Sequence, residues 1–206
     1  MASSFADTVA SLAAGDDMAA LATACEGFEL NLGHTELADT SASLHIYKVH
    51  LAAYLLCARL DDARFLWKRL PAEIRDADAE LVALWAIGKA MWVKDPAAAQ
   101  AAMAAHSWSP PVVQSLVARM QREHLEQSFV QAAKAYRHVS AAHLAQILGV
   151  PVAKIDELAA AANWPTDAES GAYRPCAPDV DDAPPMMMEQ LGRLTNYVAH
   201  IEREVK

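Results

Sequence analysis

Apolar positions along the first two-thirds of the chain recur every three to four residues, a period that predicts helices rather than strands. Phe5–Ala14 and Met18–Phe28 read as a short pair broken at Gly15-Asp16-Asp17, and Leu30–Thr40 as a loop. Ser43–Arg59 places Leu44, Tyr47, Leu51, Tyr54 and Leu55 on one helical face. Asp61-Asp62 then open a partner helix, Ala63–Leu70, because carboxylates suit the positive end of a helix, and Pro71 ends it. Ala72–Val93 reads as one long helix with Leu81, Leu84, Trp85, Gly88 and Trp92 at three- and four-residue spacing. Asp95-Pro96 is a cap residue followed by proline at the first helical position, and it starts Ala97–Ala105. Pro110-Pro111 start a long helix from Val112 to about Tyr136. Uneven antiparallel pairs of this kind predict a mostly α fold, with a tetratricopeptide-like helical-repeat array over residues 1–137, although no fixed-period repeat is visible.

The pattern changes after His138. Ala141–Ala160 reads AAHLAQILGVPVAKIDELAA, the spacing of a helix-turn-helix. Leu144 and Leu148 lie one turn apart, Ala145 is small where the helices would cross, and Gly149 sits where a positive φ is needed. A plain helical hairpin is the alternative. Short strands near Trp164 and at Ala172–Cys176 would complete a small winged-helix module over residues 138–183. Pro184-Pro185 then sets off a last helix over residues 184–206. There Met187, Leu191, Leu194, Val198, Ile201 and Val205 step by four and three, a heptad seam about three repeats long. A helix so short needs a partner face, on another chain or on its own domain.

Composition agrees with helices: 54% of the 206 residues are hydrophobic and about a fifth are alanine. The net charge of -9 disfavours nucleic acid and anionic membrane as partners. The second helix of the helix-turn-helix makes the point locally. Between His138 and Ala183 the bases are Lys154 and Arg174, against seven acids, so that surface repels phosphate where a DNA reader would collect it. Cys25, Cys57 and Cys176 are far apart and form no C-x-x-C pair, which favours a reducing cytosolic or nuclear compartment. The N-terminus has no signal-peptide pattern, and no run of about 18 apolar residues predicts a membrane span.

Candidate chemistry is sparse. The eight histidines show no H-x-H or H-E-x-x-H spacing, so no metal or cofactor is expected. Cys57 lies in an apolar helix and reads as core rather than nucleophile, and no G-x-S-x-G or phosphate loop is present. Trp85 and Trp92 form a stripe that reads as core. Arg64, Lys68 and Arg69 beside Phe65 and Trp67 read as an exposed helix edge, with a partner contact as the alternative. The proline-flanked segment Ala172–Cys176 is too short to make a sheet alone, so its edge invites strand addition by a partner, with Tyr173 and Arg174 as the contacts.

Three stretches carry a resemblance. Leu60–Pro71 (LDDARFLWKRLP), His106–Val113 (HSWSPPVV) and Gln190–Glu202 (QLGRLTNYVAHIE) resemble, in order and separation, the subunit-8 family of the COP-nine signalosome. That family belongs to the PCI-domain proteins shared with the proteasome lid and translation initiation factor three. The resemblance runs from about Met18 to the end, departing at residues 30–43 and 167–183. It implies a non-catalytic scaffold in the complex that removes Nedd8 from cullin ubiquitin ligases, with the zinc isopeptidase centre on another subunit. It also implies winged helices joined edge to edge, subunit 3 as neighbour, and C-terminal helices gathered in a common bundle. The location implied is cytoplasm and nucleus. The k subunit of initiation factor three and the small lid subunit share this architecture. A winged-helix transcription factor would need a basic second helix.

Overall fold

The computed structural model describes residues 8–13, 15, 17–31, 40–76, 78–109, 111–167, 171–176, 192, 194–198 and 200. The described chain is mostly helical. It contains α1 (8–13), α2 (Met18–Asn31), α3 (Thr40–Leu56), α4 (Leu60–Arg69), α5 (Ala72–Arg75), α6 (Ala79–Val93), α7 (Pro96–Ala105), α8 (Pro111–Ala135), α9 (Ala141–Leu148) and α10 (Val152–Ala161). The chain divides into two units, Met1–Cys176 and Ala177–Lys206.

The helix starts follow local chemistry. Asp95 accepts the Ala98 N–H at 3.0 Å and Pro96 opens α7, as the cap-proline pair predicts. Asp61 and Asp62 lie in the first turn of α4, and Lys68 and Arg69 in its last, matching both ends of the helix dipole. The expected long helix from Ala72 to Val93 is corrected to two pieces. Asp78 turns extended and caps α6 by accepting the Leu81 N–H at 2.8 Å, so the backbone breaks before it. Helix α2 runs on to Asn31, past Leu30, the expected start of a loop.

The larger core is built around α3, which packs against α2, α4, α6 and α8. From Tyr47 to Leu55 every residue of α3 is buried, so the single apolar face read from the sequence becomes burial on all sides. That burial includes Lys48 and His50. The Lys48 ammonium lies 2.7 Å from Asp78 Oδ2 and 2.7 Å from Glu80 Oε2, and Glu80 Oε1 accepts the Ser109 N–H at 2.7 Å. Burial pushes the Glu80 carboxyl up, but Lys48 and the Ser109 N–H outweigh it and hold the group below its ordinary value.

Two of the motif stretches are explained by this core. In Leu60–Pro71, Ala63, Leu66 and Leu70 are buried, and Trp67 stacks on Trp85 with ring centroids 5.2 Å apart. In His106–Val113, Trp108 Nε1 donates to the Met103 carbonyl at 3.2 Å, closing the end of α7, and Ser109 clamps Glu80. Trp85 is packed against the core, as the stripe predicts, but Trp92 is 50% exposed.

A second, smaller core joins Phe129, Ala132 and Ala133 of α8 to Val139, Leu144, Leu148, Ile155, Ala159 and Trp164. Helix α8, 25 residues and so about 37 Å long, therefore serves both cores: Val113, Leu116, Val117 and Met120 belong to the first. The turn between α9 and α10 also meets the first array. At Gly149 (φ 67°) a Cβ would lie 2.7 Å from Ala97 Cα and 3.0 Å from its carbonyl oxygen, so no side chain fits.

Replacing Lys48 by Met would leave the neighbouring carboxylates of Asp78 and Glu80 without their counter-charge. A loss of about 3–5 kcal/mol in urea denaturation is expected. A change under 1 kcal/mol would show the bridge to be dispensable.

His50 is fully buried, and among the described residues neither ring nitrogen has a hydrogen-bond partner, with Nδ1 3.6 Å from Glu29 Oε2. Burial lowers its pKa to about 4 from 6.5, against the pull of Glu29. The unfolded chain thus binds more protons between pH 6.5 and 4, so the stabilisation is complete above 6.5 and is lost as pH falls through that window. The loss is on the order of 3 kcal/mol. A His50→Leu variant should show a flatter fall in denaturation midpoint across the same range; an identical slope would exclude His50 as the source.

Candidate functional site

The sequence directs attention to the region after α8, and its geometry is set from the caps upward. Ser140 Oγ accepts the His143 N–H at 3.3 Å and starts α9. Gly149 ends it in the left-handed conformation, and its N–H returns to the Ala145 carbonyl. Pro151 then precedes α10. Ile155 and Ala159 of α10 face Leu144 and Leu148 of α9 within the second core. Trp164 closes the base by stacking on Phe129 at 4.2 Å.

Three short extended pieces flank this helix pair. Tyr173 bridges Val139 on one side and Thr166 on the other, both antiparallel. Tyr173 and Val139 exchange both backbone bonds, at 2.8 and 3.0 Å. Arg174 N–H donates to the Pro165 carbonyl and Asp167 N–H to the Ala172 carbonyl, both at 2.9 Å. The order across this small ladder is therefore Val139, Tyr173, Thr166.

That order corrects the expectation that Ala172–Cys176 offers an open edge. Tyr173 is the central position, with its N–H and carbonyl already committed to Val139. Its hydroxyl donates to Asp156 Oδ1 at 2.6 Å, and that carboxylate pushes the Tyr173 pKa up. Tyr173 thus ties the ladder to α10. The Arg174 side chain is exposed. The outer edge belongs to Thr166, which the sequence reading missed. Bonds at residues 165 and 167 turn toward Tyr173, so the Thr166 N–H and carbonyl point the other way. Among the described residues neither has a partner, and Thr166 is exposed. Nothing in the local composition distinguishes 166 from 173; only pairing with Val139, more than 30 residues away, decides which is outer.

The exposed face of α10 carries Asp156 and Glu157, and Lys154 is 2.8 Å from Glu157 Oε2. A groove of DNA phosphates would meet carboxylates there. Elsewhere, Cys25 is buried and its thiol pushed up to about 12, and burial also raises the Cys57 thiol, so neither is an activated nucleophile. Among the described residues no group of three His, Cys, Asp or Glu is placed to hold a metal ion, and no helix is long and apolar enough to cross a membrane.

Of the heptad seam, Leu194 and Val198 lie in the described helical stretch 194–198 and are exposed, as is Tyr197 between them. Met187, Leu191, Ile201 and Val205 lie outside the described residues.

A model of the CSN8/PSMD8/EIF3K family matches residues 41–181, from α3 through the ladder beside α10. The COP9 signalosome complex subunit 8 of Xenopus laevis is 32% identical over 164 residues, 78% of this chain and 83% of that one. The subunit 8 of Danio rerio is 33% identical over 168 residues, 78% of this chain and 84% of its own. That of Arabidopsis thaliana is 31% identical over 156 residues, covering 76% and 79%.

The acid on α10 predicts that random duplex DNA at low salt produces no mobility shift up to tens of micromolar protein. Non-specific binders typically retain DNA at about 10⁻⁴–10⁻⁶ M. Micromolar retention that weakens steeply with salt would contradict the reading.

Proposed function

Since the chain belongs to the CSN8/PSMD8/EIF3K family, we propose that it is a non-catalytic assembly subunit of the COP9 signalosome, the complex that removes Nedd8 from cullin ubiquitin ligases. The observation that carries this reading is the similarity to signalosome subunit 8 across about three-quarters of the chain, through the helical array and the helix-turn-helix module alike. In this role the chain works in cytoplasm and nucleus, and the isopeptidase chemistry belongs to another subunit.

Two surfaces do the assembling. The first is the Thr166 edge, where a neighbouring subunit, subunit 3, adds a strand through backbone hydrogen bonds, with the exposed Arg174 beside it as a side-chain contact. The second is the tail helix, whose seam of Met187, Leu191, Leu194, Val198, Ile201 and Val205 enters a bundle of C-terminal helices. Each aliphatic side chain fully covered there contributes about 1.5–3 kcal/mol. The equivalent subunits of initiation factor three and of the proteasome lid are the alternatives. Co-purification of the tagged chain from native extract separates the three, because each complex brings its own subunits.

Thr166→Pro removes the outward N–H while leaving the bonds at 165 and 167 intact, since proline is tolerated on an edge. It should weaken pairwise binding to subunit 3 at least tenfold in the chain lacking residues 186–206, with helical content unchanged. Wild-type affinity would exclude this edge.

Deleting residues 186–206 should abolish stable incorporation into the complex while leaving the thermal unfolding of the remainder intact. Normal incorporation would rule out the tail as a docking element, and global unfolding would place its packing within the chain itself.

A further inference from the structure

The helical array holds a cleft that neither assembly surface uses. It lies between the end of α3, the outer face of α4 and the second half of α6, and encloses about 370 Å³. Its walls are apolar: Leu55, Ala63, Trp85 and Trp92. Gly88 lines it, and a Cβ there would sit 3.1 Å from Leu55 Cδ2. Glycine inside a helix costs about 1 kcal/mol relative to alanine, so the chain accepts a local penalty where it keeps this space. The lip is more exposed than a core boundary requires, with Trp92 at 50% and Val93 at 74%.

The rim charge singles the cleft out. Arg64 and Lys89 line it from opposite helices, and both are exposed. Arg64 lies over the Trp92 ring with 5.6 Å from its central carbon to the ring centroid. Among the described residues neither cation has a carboxylate within ion-pairing distance, although Asp61 is one turn away on α4. Nearby, Arg59 is paired with Glu26 and Asp62, Arg69 with Glu29, and Lys48 with Asp78 and Glu80, while among the described residues the exposed Lys68 on α4 and Lys94 after α6 add further positive charge without a carboxylate partner. In a chain of net charge -9, two uncommitted cations facing one apolar cleft form a local inversion of sign.

We propose that this cleft docks an acidic segment of a partner protein. One apolar side chain of the segment, aromatic or aliphatic, enters between Leu55, Ala63 and Gly88, and flanking carboxylates pair with Arg64 and Lys89. The volume suits a single large side chain. The half-exposed Trp92 with a cation over its face is the arrangement that tends to concentrate binding energy at interfaces. Arg64 can accept a carboxylate in the plane of its guanidinium while keeping its face on the ring. The paired cations require an acidic occupant; a basic or neutral segment would leave them desolvated and unpaired.

Phage display of random twelve-residue peptides on the immobilised full-length chain tests this. Enriched peptides should carry a Trp, Phe or Leu flanked by Asp and Glu. The enriched peptide, resynthesised, should lose at least tenfold in affinity for Arg64→Glu/Lys89→Glu and for Trp92→Ala. All three positions are exposed or on the lip, so helical content and thermal midpoint should stay at wild-type values and report folding independently. Gly88→Ala, which narrows the cleft without touching its charge and makes Leu55 give by a few tenths of an ångström, should weaken the same peptide. Enrichment of basic or uncharged sequences, no enrichment, or equal affinity for the charge-reversed variant would overturn the proposal. So would a concentration-dependent dimer in sedimentation that the charge reversal dissociates, because a second copy of the chain would then be the occupant.

Discussion

The buried ammonium of Lys48 constrains most of the helical array. It sits on α3, the helix enclosed by α2, α4, α6 and α8, where an unpaired charge would be intolerable. Its two carboxylates come from the beginning of α6, and one of them, Asp78, also caps that helix. The other, Glu80, spends its second oxygen on the Ser109 N–H, just before α8 begins. One cation therefore sets where α6 starts, how it lies against α3, and how the chain enters α8. A hydrophobic residue at 48 with matching apolar partners could be as stable, but it would not tie these three segments to one register.

The second core depends on the first through two shared features. Helix α8 spans both, so the direction it takes from the array fixes where Phe129 meets Trp164. Gly149 then lets the α9–α10 turn approach Ala97 more closely than any side chain would permit. The ladder of Val139, Tyr173 and Thr166 hangs on this framework, with Tyr173 bonded to Val139 through the backbone and to Asp156 on α10 through its hydroxyl. These bonds hold the outward N–H and carbonyl of Thr166 at fixed positions on the ladder's edge.

The surfaces divide by charge. On α10 the exposed Asp156 and Glu157 outnumber Lys154, which is itself paired with Glu157, so that face disfavours polyanions. Between α4 and α6 the sign reverses, and an apolar cleft faces two cations that the fold itself does not use. Differences of this kind confer specificity, because an occupant suited to one surface is repelled by the other.

Much of this was legible in the residues alone, wherever the signal is local. The three-to-four period found the helices; Asp61-Asp62, Asp95-Pro96 and Pro110-Pro111 marked starts; and Gly149 marked the turn, because caps and left-handed residues depend on side chains within a few positions. The acid on α10 was legible too, since charge on an exposed helix needs no tertiary information. Other features were decided only when the chain folded. Asp78 caps α6 locally, but its pairing with Lys48, 30 residues earlier, forms only in the folded core. Burial of α3 on every side followed from how many helices surround it, which periodicity cannot count. Trp85 and Trp92 share one stripe, yet Trp85 stacks on Trp67 while Trp92 is half exposed under Arg64, and only the packing of α4 against α6 separates them. Tyr173 and Thr166 are equally plausible edge residues in one dimension, and pairing with Val139 makes the first central and leaves the second open. Local spacing determines the elements; long-range pairing determines which of their surfaces remain free.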